Sequence, residues 1–91
     1  MSFLPSDTDL RRGVESLLGP RAPSASICPS EVARALAPDD WRALMPRVRA
    51  VAAVMAQEGT IRITQGESTV DPVALMDGVV RGPIRLRRPN G

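Results

Sequence analysis

The sequence of 91 residues lacks histidine, lysine and tyrosine, and it contains only one cysteine and two aromatic residues. Without histidine or a second cysteine, it offers neither the Cys/His clusters of zinc sites nor the nucleophile and base pairs of common hydrolases. It also has no phosphate-binding loop and no GxGxxG motif. We therefore expect neither an enzyme nor a bound metal or other cofactor.

The single cysteine and the absence of long apolar runs indicate where the protein resides. One cysteine cannot form an internal disulfide, which is typical of cytoplasmic proteins. The apolar run that contains Val51 to Ala56 is far shorter than the roughly 20 residues of a membrane span. The start of the chain, MSFLPSDTDL, shows no secretory signal. We expect one cytoplasmic domain over residues 1–91, with residues 1–4 and 89–91 as flexible ends and no membrane partner.

All positive charge comes from arginine, and its excess lies at the C-terminal end. Residues 1–59 carry seven arginines and seven acidic residues, whereas residues 60–91 carry five arginines and three acidic residues. A localised basic excess is typical of an anion-binding surface. Single-stranded nucleic acids usually stack on aromatic side chains, which are scarce here. Trp41 continues an apolar stripe and is expected in the core.

Apolar residues recur at helical spacing through the first two thirds of the chain. The segment PSDTDLRRGVESLLGP begins with a capping-box-like Ser6-x-x-Asp9 and ends with a glycine, which predicts one helix. After a brief extended piece at residues 26–28, CPSEVARAL predicts a second helix with Cys28 at the N-cap and Pro29 at the first position.

Pro46 interrupts the next run of apolar residues. Proline removes a backbone hydrogen bond and disfavours helix at the preceding residue. We therefore predict a short turn of helix at residues 39–44, with Asp39 and Asp40 in its first turn, and a longer helix at residues 46–58.

The period of the apolar residues changes after Gly59. TIRIT and GPIRLRR alternate apolar with arginine or threonine residues, which predicts two strands of an antiparallel pair. QGES is predicted as a turn. The long connection TVDPVALMDGVVR is partly apolar and is expected to fold back on the domain.

This order of elements is that of a winged helix, an α+β fold in which a helix-turn-helix is followed by a wing of two or three antiparallel strands. The segments ICPSEVARALAPDDWRALMPRVR, QEGTIRITQG, VDP and RGPIRLR resemble the bacterial domain-of-unknown-function family numbered 3253. The resemblance covers roughly residues 8 to 88 and implies a short winged-helix-like protein of no established activity. The stretch DPVALMDGVVRGP departs from it, because it is longer than the corresponding connection.

The first functional hypothesis is a module of low intrinsic specificity that binds duplex DNA. On the helix, Arg42 and Arg49 share one face, and Arg47 and Arg49 would lie at the groove. The arginines that alternate along the strands would contact phosphates. The candidate nucleic-acid-binding residues are thus Arg42, Arg47, Arg49, Arg62, Arg85 and Arg87. The alternative for these residues is a solvated helix face with ion pairs and an edge strand protected by charge.

Two further hypotheses stay open. Because winged helices also serve as scaffolds for protein contacts, the second is a protein-interaction module that uses the apolar connection at Val73 to Val80. The third is a thiol redox sensor, since Cys28 lies at a helix N-terminus where thiols can become more reactive. No helix follows the wing, which favours a monomer.

Cys28→Ser separates the capping role from the sensor role. Serine is itself a good N-cap, so we expect the variant to keep its stability and function nearly unchanged. Thermal denaturation and a binding assay measure the two properties. A folded variant that has lost its function would instead support the redox sensor.

Overall fold

The structure, a computed structural model, describes residues 5–22 and 24–89. In these residues the elements are, in chain order, α1 (Asp7–Leu18), β1 (Ser26–Ile27), α2 (Pro29–Leu36), α3 (Trp41–Gln57), β2 (Arg62–Gln65), β3 (Ser68–Thr69), α4 (Pro72–Met76) and β4 (Arg85–Arg87). The predicted α+β class is confirmed by these helices and their antiparallel sheet. The expected flexible ends, residues 1–4 and 89–91, lie outside the described residues apart from Pro89.

Helix α1 begins with the predicted capping box. The Ser6 hydroxyl accepts a hydrogen bond from the Asp9 amide at 3.1 Å, and the Asp9 carboxylate accepts one from the Ser6 amide at 2.9 Å. The bond from the Ser6 amide, helped by the Ser6 side chain, lowers the pKa of the Asp9 carboxyl. The ionised Asp9 carboxylate therefore stabilises the folded state at pH values above the ordinary carboxyl pKa. This stabilisation is lost as the pH falls through the lowered pKa of Asp9.

A close approach between α1 and α2 depends on a glycine. A Cβ atom at Gly13 would lie 3.0 Å from Val32 Cγ1 and 3.2 Å from Leu36 Cδ1. An alanine at this position would therefore require the Val32 or Leu36 side chain to shift by a few tenths of an ångström. The α1 residues buried on the same inner side are Leu10, Val14 and Leu18.

Helix α2 begins as predicted, with Cys28 at the N-cap and Pro29 at the first position. The Cys28 amide donates to Glu31 Oε2 at 2.7 Å, which satisfies one of the backbone donors at the helix start. The other oxygen of Glu31 pairs with Arg21 Nη2 at 3.1 Å. The half-buried Cys28 Sγ accepts a hydrogen bond from Ser30 Oγ at 3.1 Å.

The predicted break at Pro46 is wrong. Helix α3 is continuous from Trp41 to Gln57, with Pro46 inside it and Asp40 at its N-cap. A proline inside a helix costs about 3 kcal/mol, whereas burying one aliphatic side chain contributes about 1.5 to 3 kcal/mol. Six buried residues outweigh that penalty and keep the axis continuous: Leu44, Val48, Val51, Ala52, Ala53 and Met55.

The antiparallel sheet has the strand order β1–β4–β2–β3. The predicted pairing of the two arginine-containing strands, β2 and β4, is confirmed. Ile27, Leu86 and Ile63 occupy one row across three strands, and all three are buried in the core against the helices. The outer sheet face therefore carries the alternate residues of each strand.

The prediction of a turn at QGES is confirmed, and it is the tight turn of a hairpin between β2 and β3. Gln65 belongs to β2 and Ser68 to β3, so only Gly66 and Glu67 form the turn. Gly66 has a φ of 61°, a left-handed conformation that permits a two-residue hairpin.

The connection between β3 and β4 folds back on the domain, as predicted. It contains α4, which packs against α3 and buries Leu75. The Asp71 side chain caps α4 by accepting from the Val73 amide at 3.0 Å. Within residues 5–22 and 24–89, no helix is both long enough and apolar enough to cross a lipid bilayer.

Glu31→Ala tests the cap of α2. The variant loses the bond to the Cys28 amide, so we expect its free energy of unfolding to fall by about 1 kcal/mol. Urea denaturation measures this change. Glu15→Ala, at an exposed site on α1, is the matched control and should change stability by less than about 0.5 kcal/mol. Equal losses in the two variants would contradict the capping role.

Candidate nucleic-acid interface

The outer face of the sheet gathers the strand arginines predicted from the sequence. Arg87 on β4 lies opposite Ser26 on β1 and opposite Arg62 on β2. Arg85 lies in the next row, opposite Thr64. Because alternate residues of a strand point to the same side, all three arginines lie on the face away from the buried row. The alternation of apolar residues with arginine in the two strands is therefore reflected in one arginine-bearing sheet face.

Arg85 is held by one residue of the neighbouring strand. Its Nε donates to Ser26 Oγ at 2.9 Å, and its Nη2 donates to the Ser26 carbonyl at 3.1 Å. The guanidinium is therefore fixed in position across the sheet although the residue is exposed. Both acceptors are neutral, so the positive charge of Arg85 is not balanced by them.

Arg87 and Arg62 are held in the same way. Arg87 donates from Nε to the buried Thr64 Oγ1 at 3.0 Å and from Nη1 to the Ser24 carbonyl at 2.9 Å. Arg62 donates from Nε to the Arg88 carbonyl at 3.3 Å. Neutral oxygens again accept every bond, so the arginines are positioned without being neutralised.

The sheet face holds its positive charges close together. Arg62 and Arg87 are direct cross-strand partners, an arrangement in which like charges destabilise a sheet. Among the described residues, no carboxylate lies within ion-pair distance of either arginine or of Arg85. Within residues 5–22 and 24–89, several N–H groups of these arginines have no hydrogen-bond partner: both Nη groups of Arg62, Nη1 of Arg85 and Nη2 of Arg87. Rigid guanidinium groups with free N–H edges are suited to phosphate oxygens.

The three candidate arginines of α3 have different surroundings. Arg47 Nη2 pairs with Asp7 Oδ1 of α1 at 2.9 Å. Arg42 is exposed, and its Cζ lies 5.0 Å from the centroid of the Trp41 ring. Arg49 is half-buried beside the connection to β4. The structure thus brings the strand arginines together on one sheet face, whereas each helix arginine has different neighbours.

Arg49 and Gln65 together hold the chain just before β4. Arg49 donates to the carbonyls of Val80 at 3.3 Å and Gly82 at 3.4 Å. Gln65 Nε2 donates to the carbonyls of residues 81 and 83, at 2.6 and 3.3 Å. Four successive carbonyls are therefore bonded alternately to α3 and to β2. Gly82, with a φ of 88°, supplies the left-handed backbone that this path requires.

The surface between α3 and α4 is a shallow depression of about 440 Å³. Arg42 and Arg49 lie at its edge, which confirms that they share one face of α3. Its apolar lining includes Met45, Leu75 and Met76. Because α4 occupies this side, part of the α3 face that would enter a DNA groove is covered by the protein itself.

The apolar connection predicted as an interaction surface is partly exposed. The exposed fractions are 50% for Val73, 44% for Met76 and 68% for Val79. Leu75 is buried, and Val80 packs partly against the core. Three apolar side chains are thus exposed on one short segment, whereas single exposed apolar residues scattered over a surface are ordinary.

Sequence reasoning missed the oxygen atoms that position the arginines. Ser24, Ser26 and Thr64 are distant from the arginines along the chain, and only strand register brings them together. The bonds of Gln65 to the connection before β4 could not be predicted either, because one glutamine beside a turn forms no distinctive sequence pattern. The only indication of the position of Thr64 was the alternation in TIRIT, which places Thr64 on the same strand face as Arg62.

Comparison with known proteins gives a family and no activity. A sequence profile described as "Protein of unknown function (DUF3253)" matches residues 7–89. No curated protein matches the chain. Within the described ranges, no three histidine, cysteine, aspartate or glutamate residues lie close enough to hold a metal ion.

Gln65→Ala tests the attachment of the connection. Losing two side-chain hydrogen bonds should lower the free energy of unfolding by about 1 to 2 kcal/mol and speed amide hydrogen exchange in residues 78–84. Hydrogen exchange followed by NMR measures the local effect. Gln57→Ala, at the exposed end of α3, is the control. Similar exchange in the two variants would show that Gln65 does not hold the segment.

Proposed function

The chain belongs to the DUF3253 family of proteins of unknown function, and we propose that it is a winged-helix module that binds duplex DNA through phosphates with low sequence specificity. It acts as a binding module rather than as an enzyme. Its single cysteine is in keeping with a cytoplasmic location.

The order and pairing of the elements support the winged-helix proposal. Helices α2 and α3 are joined by four residues, as in a helix-turn-helix. Strand β1, which precedes α2, pairs with β4, and β4 pairs with β2. The hairpin end of the sheet is the wing, and α4 is an addition between β3 and β4.

The cross-strand pair Arg62 and Arg87 is the observation that carries the DNA-binding proposal. The two arginines are direct register partners on adjacent strands, with Arg85 in the next row and no carboxylate within ion-pair distance in the described chain. Such a pair weakens the sheet unless an anion neutralises it. A DNA strand supplies a row of phosphates, and neutralising them releases counterions. Binding of a polyanion to this sheet face is therefore expected to relieve the repulsion between its arginines.

Low specificity follows from the surroundings of α3. Base reading requires side chains that reach into the major groove. In this protein α4 lies beside α3, Arg49 is bonded to backbone carbonyls, and Arg47 is paired with Asp7. Arg42 keeps an exposed guanidinium. The contacts of Arg42, Arg47 and Arg49 with DNA remain predictions, with Arg42 the most accessible of the three.

A protein-interaction module is the second candidate function. The exposed Val73, Met76 and Val79 favour it, because exposed apolar surface drives protein association. An apolar contact responds weakly to salt, whereas phosphate contacts weaken steeply with it. Salt dependence therefore separates the two candidates.

Titration of a fluorescently labelled, mixed-sequence duplex at several salt concentrations tests the DNA-binding proposal. We expect saturable binding at about 50 mM salt that weakens strongly by about 200 mM. In Arg62→Gln the slope of log K against log salt should decrease by about 0.9, because one phosphate contact is lost. Arg87→Gln should behave alike, with circular dichroism to verify that the fold survives the lost Thr64 bond.

Arg12→Gln is the matched control for these variants. It removes one exposed arginine that belongs to α1 and not to the sheet, so the slope should stay nearly that of the wild type. Absence of binding at about 50 mM salt would refute the proposed function. Equal slope changes in Arg12→Gln and Arg62→Gln would indicate attraction by net charge without a defined sheet interface.

A further inference from the structure

A second group of arginines lies at the corner between α2 and α3. Arg34 comes from the last turn of α2, and its Cζ lies 4.2 Å from the centroid of the Trp41 ring. Arg42 Cζ lies 5.0 Å from the same centroid. The half-buried Trp41 is the first residue of α3 and packs partly against the core. Two guanidinium groups are thus gathered on one anchored indole.

Stacking leaves these guanidinium groups able to bind an anion. A cation–π contact between a guanidinium and an indole uses none of the N–H donors as a hydrogen bond to a polar acceptor. In the described part of the chain, neither Arg34 nor Arg42 forms an ion pair, and neither side chain donates a hydrogen bond. Both residues are exposed. The indole therefore orders two cationic donors and leaves their hydrogen-bonding edges open.

We propose that Arg34 and Arg42, ordered by Trp41, form a second phosphate-binding site, which we call the corner site. The inference rests on the proposed function, because the ligand is the phosphate backbone of the bound duplex. The corner lies at the opposite end of α3 from the turn into β2, about 24 Å away along the helix axis. The corner is therefore a separate place from the sheet face, and the proposal assigns to it a second phosphate contact.

Two carboxylates oppose this site and give it a second test. Asp39 and Asp40 are exposed in the turn just before Trp41, and neither forms an ion pair in the described chain. Their negative charges repel phosphate at short range. Asp39→Asn should therefore strengthen DNA binding, whereas Arg34→Gln should weaken it.

Trp41 provides a direct signal, because it is the only tryptophan in the chain. Its fluorescence should change when a mixed-sequence 20-base-pair duplex is added, with the same midpoint as the anisotropy of the labelled DNA. Arg34→Gln should abolish most of this change and lower the salt slope by about 0.9. Arg42→Gln is the second variant, and Arg12→Gln, which leaves the indole stack intact, is the control.

The outcomes separate failure of the corner site from failure of the proposed function. The corner site is refuted if the duplex binds and Arg62→Gln weakens it while Trp41 emission stays constant and Arg34→Gln matches Arg12→Gln. The proposed function then stands on the sheet face alone. If the wild-type protein does not bind the duplex at low salt, both proposals fail. A change in emission that persists in Arg34→Gln and Arg42→Gln also overturns the corner site.

Discussion

The packing of α3 along its whole length is the constraint on which the rest of the structure depends. Its buried face contacts α1, α2, α4 and β2, so each of these elements is placed relative to one helix axis. Val48 and Ala52 are fully buried at the centre of that face. This packing keeps the helix continuous through Pro46, because burial over several turns exceeds the loss of one backbone hydrogen bond.

Arginine is the only cationic side chain, and the structure gives it two kinds of role. Arg49 connects α3 to the carbonyls of the connection before β4, and Arg47 connects α3 to α1. The sheet arginines are bonded as well, but their acceptors are neutral oxygens. A carboxylate partner would neutralise the charge, whereas a hydroxyl or carbonyl only orients it. Neutral acceptors therefore make a guanidinium both rigid and available to an anion.

The sequence predicted individual helix ends well, because capping is a local interaction. Ser6 and Asp9 lie three residues apart, as do Cys28 and Glu31, and both pairs form the expected bonds to the backbone. Strand alternation likewise placed the arginines on one face. The continuity of α3 could not be predicted locally, since Pro46 signals a break and only contacts with distant elements overrule it.

By itself, the sequence determined the α+β class, the starts of α1 and α2, the pairing of β2 with β4 and the basic character of the C-terminal third. These features depend on spacing, capping and composition, which act within short stretches of chain. Only the tertiary structure decided which arginines bond to other parts of the protein and that Arg62 lies opposite Arg87. It also decided that Arg34 and Arg42 both contact the ring of Trp41. The pairing of Arg62 with Arg87 arises from strand register between distant segments, and the contacts of Trp41 arise from the angle at which α2 and α3 meet.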